Sequence, residues 1–179
     1  MDFEGFEIDI NYLENYQSPT WNKDDLYFSD DKNFATYFYN INEYRMLSYA
    51  SEFAIFEKNN SKPIFNFKKN PVWYSLKNPV QYFNKSKCFV LRKMMGNHIP
   101  FLFIKPFEKK FAVLKFDWSS IYFNLKEINT NVFKIKAQDI EEVKRLNLDF
   151  LENGFVDLSK LIWYDFNEFK NFETLYKNL

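Results

Sequence analysis

The chain has 179 residues, 46% of them hydrophobic and 27% charged, and its 24 basic and 24 acidic side chains leave no net charge. At this length a single domain burying about 70% of its unfolded surface is the default, and this composition excludes a chain that is disordered in bulk. The 23 Phe, 12 Tyr and 4 Trp stand against one His, one Cys and 3 Gly, a stock rich in packing material and poor in the groups most enzyme sites require.

The first residues, Met1-Asp2-Phe3-Glu4-Gly5-Phe6-Glu7, are acidic where a secretory signal would be basic and then apolar. No apolar run reaches the roughly 18 residues of a membrane span. The cytoplasm is the expected location, and the Asn-x-Ser triplets at Asn59 and Asn84 then carry no glycan. A short element is expected near Glu7–Tyr16. Loop chemistry follows in Gln17-Ser18-Pro19-Thr20 and Asn22-Lys23-Asp24-Asp25.

From Phe34 to Lys136 short aromatic and β-branched runs, punctuated by Asn, Lys, Pro and Ser, read as strands. Alternation in Phe65-Asn66-Phe67-Lys68 and Val132-Phe133-Lys134-Ile135-Lys136 gives one apolar face and one wet face. The runs at 53–58, 64–68 and 72–76 have a weak echo at 101–105, 113–117 and 121–125, a pattern that any two sets of Phe, Ile and Lys hairpins also produce. After Lys136 the period lengthens. Asp139 with Glu142, and Asp165 with Glu168, have the spacing of capped helix starts. Ile140, Val143, Asn147 and Leu151 would share one helix face, and Phe166, Phe169, Phe172 and Leu175–Tyr176 another. The expected fold is α+β: one domain with an acidic, loop-rich segment at 1–33, a meandering antiparallel sheet of about eight to ten short strands over 34–136, and two amphipathic helices in 137–179.

Charge is segregated along this plan. Residues 1–32 carry nine acids against two lysines, a balance of −7; residues 33–136 stand at +11, and residues 137–179 at −4. Acidic ends folding over a basic sheet account for this, as does a charged face that steers a partner of opposite sign.

The chemistry available is narrow. One Cys and one His exclude the usual zinc cages. His98, in Gly96-Asn97-His98-Ile99-Pro100, lies where a turn is expected, with no Gly-x-Ser-x-Gly elbow to make it the base of a triad. Gly5, Gly96 and Gly154 are scattered, so no phosphate-binding loop is present. Cys88, within Lys87-Cys88-Phe89-Val90-Leu91, reads as a buried strand thiol. Asp24-Asp25 and Asp30-Asp31 lack the spacing and the Gly of an EF-hand loop and read as solvated acids, with no cofactor or metal expected. A carboxylate- or metal-dependent hydrolase would need acids such as Glu43, Glu52 and Asp117 to converge from separate strands.

Two binding readings remain. Lys85, Lys87, Lys109 and Lys110 are the densest cations of an aromatic middle, a combination suited to single-stranded nucleic acid. The whole-chain pI of about 6.6 and the lack of an aromatic nucleic-acid motif argue against that. The preferred reading is a non-enzymatic protein-binding module whose acidic, aromatic N-terminal third meets a basic partner, with Trp21, Asp24, Asp25, Tyr27, Asp30, Asp31, Tyr37 and Tyr39 as contact residues. A toxin-neutralising inhibitor of the immunity type has this general character, by analogy of class alone.

Overall fold

The computed structural model describes residues 2–3, 5–13, 26–45, 48–66, 72–74, 80–93, 100–114, 123–137 and 155–179. In chain order the strands are β1 (Asp2–Phe3), β2 (Phe6–Glu7), β3 (Leu26–Phe28), β4 (Phe34–Arg45), β5 (Ser48–Glu57), β6 (Pro63–Asn66), β7 (Val72–Tyr74), β8 (Val80–Phe83), β9 (Cys88–Lys93), β10 (Phe101–Lys105), β11 (Lys110–Leu114), β12 (Phe123–Asn129), β13 (Val132–Ala137), β14 (Phe155–Asp157) and β15 (Trp163–Asp165). Among the described residues one α-helix follows, α1 (Phe172–Asn178).

Among the described residues these strands form three antiparallel sheets of two, ten and three strands, in place of the single sheet expected, and the fold is mainly β with a small helix. The expected helix starting at Asp139 lies outside the described residues. The second begins where the Asp165–Glu168 spacing puts it, with the Glu168 carboxylate accepting the Asp165 N–H at 2.8 Å, but its first six residues, Phe166–Asn171, are a 3-10 helix before α1. Strands also extend beyond the expected limits: β1, β2 and β3 lie in the acidic segment, and β14 and β15 in the C-terminal one.

The main sheet runs β15-β11-β10-β9-β7-β5-β4-β3, with β6 on β5 and β8 on β9. β7 joins two halves: Tyr49, Ala50 and Ser51 of β5 pair with one edge of it, and Arg92 and Lys93 of β9 with the other. The sequence echo does not correspond to a repeated unit, because β7 pairs with β5 and β9 whereas β12 belongs to a different sheet. The large sheet curls enough for Phe107, in the turn between β10 and β11, to meet Phe34 of β4 at 4.5 Å between ring centroids.

The inside of this curve is filled by rings. Phe38, Phe53, Phe89 and Phe111 are fully buried there, and the C-terminal segment closes over them, Phe169 lying 5.2 Å from Phe65 and 5.0 Å from Phe111. Burying one such side chain contributes about 1.5–3 kcal/mol. On the outside, the three-stranded sheet β12-β13-β14 sets Leu125, Phe133 and Val156 against Val90, Phe103 and Leu114. Elsewhere on the outside, Phe6, Ile8 and Leu13 cover Ala35, Tyr37, Tyr39 and Phe56. Runs such as Phe101–Ile104 and Phe111–Leu114 are therefore buried at every position, because both faces of those strands are covered. The peripheral sheet β12-β13-β14 keeps the wet face that alternation implies: Phe133 is buried and Lys134 exposed. No helix among the described residues is long and apolar enough to cross a membrane.

Candidate functional site

Several turns of the curled sheet gather at one end. The β3–β4 turn, Ser29–Asn33, is built by short polar side chains. Ser29 N–H donates to the Phe34 carbonyl at 2.8 Å, Phe34 N–H donates to Ser29 Oγ at 3.0 Å, and Lys32 takes the left-handed conformation at φ +53°. Asp31 Oδ1 accepts from Ser29 Oγ at 2.6 Å and from Asn33 N–H at 3.1 Å. Partial burial works to raise the Asp31 pKa. The hydrogen bonds from Ser29 and Asn33, with the charge of Lys87, outweigh it and hold the carboxyl below its ordinary range.

Lys87 belongs to the β8–β9 turn, and its Nζ lies 3.8 Å from Asp31 Oδ2 and donates to Asn84 Oδ1 at 2.9 Å. In the same turn Lys85 Nζ donates to the Ile128 carbonyl at 2.8 Å, and Glu127 of β12 accepts from the N–H groups of Lys85 at 3.1 Å and Ser86 at 2.6 Å. Tyr82, at the foot of this turn, has a buried hydroxyl with no hydrogen-bond partner among the described residues. Burial, then the negative charges of Asp31 and Asp30, push its pKa well above the usual phenol value.

The β10–β11 turn adds an apolar element. Phe107 is 54% exposed, its ring set edge-on against Phe34, whose backbone anchors the Asp30–Asp31 turn. The next residue, Glu108, is half exposed while pairing with Lys105 at 3.3 Å. One ring in water, packed on Phe34 with Asp30, Asp31, Lys32, Glu108 and Lys109 exposed in the adjoining turns, is the principal feature of this end.

The structure divides the sequence-derived candidates. Asp30 and Asp31 are exposed at this end, and Tyr27 is half-buried with its ring 5.6 Å from Phe38. Tyr37 and Tyr39, taken as contact rings, are each 1% exposed and belong to the core under Phe6, Ile8 and Leu13. The Tyr39 hydroxyl is satisfied there by donating to Asn66 Oδ1 at 2.6 Å. Trp21, Asp24 and Asp25 lie outside the described residues. Of the lysines considered for nucleic acid, Lys85 is engaged by the Ile128 carbonyl and Lys87 by Asp31, and Lys109 holds φ +54° in the β10–β11 turn. Lys110 stands opposite Asp165 in the β11–β15 register.

His98 and Asp117 lie outside the described residues. Glu52 accepts from Asn40 Nδ2 at 3.3 Å, and among the described residues no three His, Cys, Asp or Glu side chains are grouped to hold a metal ion. Sequence reasoning missed Phe107 and Glu127. A lone Phe inside the turn sequence Pro106-Phe107-Glu108-Lys109 was the available signal for the first; nothing local marked the second. No protein-family model, curated protein or solved structure matches the chain.

Proposed function

We propose that the protein is a non-enzymatic protein-binding module that meets a basic partner through Phe107 and the carboxylates of Asp30, Asp31 and Glu108 in the neighbouring turns. The observation that carries this reading is the exposed Phe107 ring, packed on the Phe34 that closes the Asp30–Asp31 turn. An apolar anchor on a preorganised turn, with charge at its rim, has the form in which a few residues supply most of the binding energy while the rim sets association rate and specificity. An inhibitor of the immunity type, occluding the positively charged cleft of a toxin in the cytoplasm, is the class of protein we propose. The buried rings Tyr37 and Tyr39 no longer belong to the proposed surface; Phe107 takes their place.

The test compares the wild-type chain, Phe107→Ser and the double variant Asp30→Asn/Asp31→Asn as baits in an extract of the native host, followed by association kinetics with the purified partner. A basic protein held by the wild type should be lost from Phe107→Ser, and the acid variant should associate more slowly with a weaker salt dependence. A partner retained equally by all three baits overturns the reading.

A further inference from the structure

The peripheral sheet has one face outside all three core clusters. Leu125, Phe133 and Val156 point from β12, β13 and β14 into the core shared with the main sheet. By strand alternation Lys126, Lys134 and Phe155 point the other way. Register sets these three in a single row, Lys126 opposite Lys134 and Lys134 opposite Phe155. Both lysines are exposed, and Phe155 is half-buried yet belongs to none of the core clusters. Lys85 brings a third ammonium to the end of the same strand, at the Ile128 carbonyl.

Like charges directly opposite each other weaken a sheet. Among the described residues neither Lys126 nor Lys134 has an ion-pair partner to offset this. Lysines do guard sheet edges against pairing with other chains, and Lys126 on the outer strand fits that role. Lys134 does not, because β13 is the central strand, hydrogen-bonded on both sides. An anionic ligand over the pair would turn the repulsion into attraction, and the adjacent ring narrows the choice of ligand. An acidic protein surface would answer the ammoniums and leave Phe155 without a role. A single-stranded nucleic acid answers both, with phosphates for the lysines and the flat face of a base for the ring.

We propose that this face binds single-stranded nucleic acid through Lys126, Lys134 and Phe155, independently of the Phe107 end. The test is fluorescence anisotropy of a labelled oligo-thymidine of about ten nucleotides, a length within the usual site size of such surfaces, titrated over a range of salt. Lys126→Glu should weaken binding about tenfold at low salt and reduce the salt slope by roughly 0.7 for the lost phosphate contact. The same substitution should raise the melting temperature, since opposite charges then face each other on the sheet. Phe155→Ala should weaken binding at least about fivefold and leave the salt slope unchanged. Lys177→Glu, an exposed position on α1 with the same change in net charge, should bind as the wild type does. Absence of binding at low salt overturns the proposal, as does equal loss from Lys177→Glu. If polyglutamate displaces the oligonucleotide at equal charge concentration and Phe155→Ala has no effect, the face is one for acidic proteins and the proposal fails. A rise in melting temperature for Lys126→Glu with unchanged binding would reduce the pair to a structural feature and sink it equally.

Discussion

Glu127 joins the peripheral sheet to the main one, and removing its carboxylate is the sharpest test of how the two are held. Its Oε1 accepts from Ser86 N–H and Ser86 Oγ, both at 2.6 Å, and its Oε2 accepts from Lys85 N–H at 3.1 Å. Ser86 Oγ in turn accepts the Asn131 N–H at 2.8 Å, which ties the β12–β13 turn to the same point. Hydrogen bonds to a charged acceptor contribute about 1.5–3 kcal/mol each when sheltered. Ser86 is only 5% exposed, so its two bonds count nearly in full, whereas water replaces the one from exposed Lys85. Glu127→Ala should therefore destabilise by about 3 kcal/mol, a fall of roughly 6–12 °C in melting temperature for a chain of this size. Glu127→Gln keeps one acceptor oxygen for Ser86 and turns an NH2 group towards the Lys85 N–H, so about half of that loss is expected. Urea denaturation of the wild type, both variants and Ser86→Ala gives the free energies and a coupling between the two positions, which should be about 1–2 kcal/mol. A loss under about 0.5 kcal/mol for Glu127→Ala, at unchanged m-value, would refute the assignment of this carboxylate as the joint between the sheets.

Other perturbations follow from single positions. Gly5 holds φ +87° with Lys58 Cε 2.9 Å from where a Cβ would stand, so Gly5→Ala should cost about 1–2 kcal/mol in thermal or chemical denaturation, mostly from the backbone because the lysine can move aside. Asn131 combines φ +63° with a buried Oδ1 that has no hydrogen-bond partner among the described residues, so Asn131→Gly should stabilise by about 0.5–1 kcal/mol despite the added freedom of the unfolded chain. Cys88 is fully buried, and burial holds its thiol well above the ordinary range. The unfolded chain loses that proton near pH 8.5 while the folded chain keeps it, so stability should fall as pH rises past that point, by up to about 1.4 kcal/mol per pH unit. Cys88→Ala should abolish that slope between about pH 8.5 and 10, and an unchanged slope in the variant would show that another group is responsible. The native thiol should resist alkylation until the protein is denatured.

What the sequence disclosed depended on how local its cause was. The Phe133-Lys134 alternation and the Asp165–Glu168 cap are decided by neighbours in the chain, and both appear as read. Division into three sheets is decided by distant pairing, such as β7 reaching both β5 and β9 or β15 docking on β11, and no local pattern carries that. The run Phe101-Leu102-Phe103-Ile104 did contain a clue: with no polar residue at alternate positions it had no wet face to offer, which implied a layer on each side. Tyrosine misled most. Tyr39 is buried because Asn66 accepts from its hydroxyl, and a polar partner supplied by another strand cannot be read from the ring's own surroundings in the chain.

The charge segregation of the sequence resolves differently in different places. Where the acidic N-terminal segment reaches the basic middle, charges meet, Asp31 facing Lys87 at 3.8 Å, and in the C-terminal segment Asp165 stands opposite Lys110 in strand register. That neutralisation consumes part of the excess and stiffens the turn end, since a lowered Asp31 pKa means that the ionised carboxylate belongs to the folded turn. It leaves Asp30 exposed on one side, and on the peripheral sheet it leaves Lys126 opposite Lys134. A chain with no net charge can thus keep charge of one sign together locally, as Lys126 and Lys134 do, fixed by strand register and not visible in the total. Charge-reversal variants at the two places should consequently act on different ligands, and a single ligand lost equally from both would mean that only the overall charge, and not its placement, governs binding.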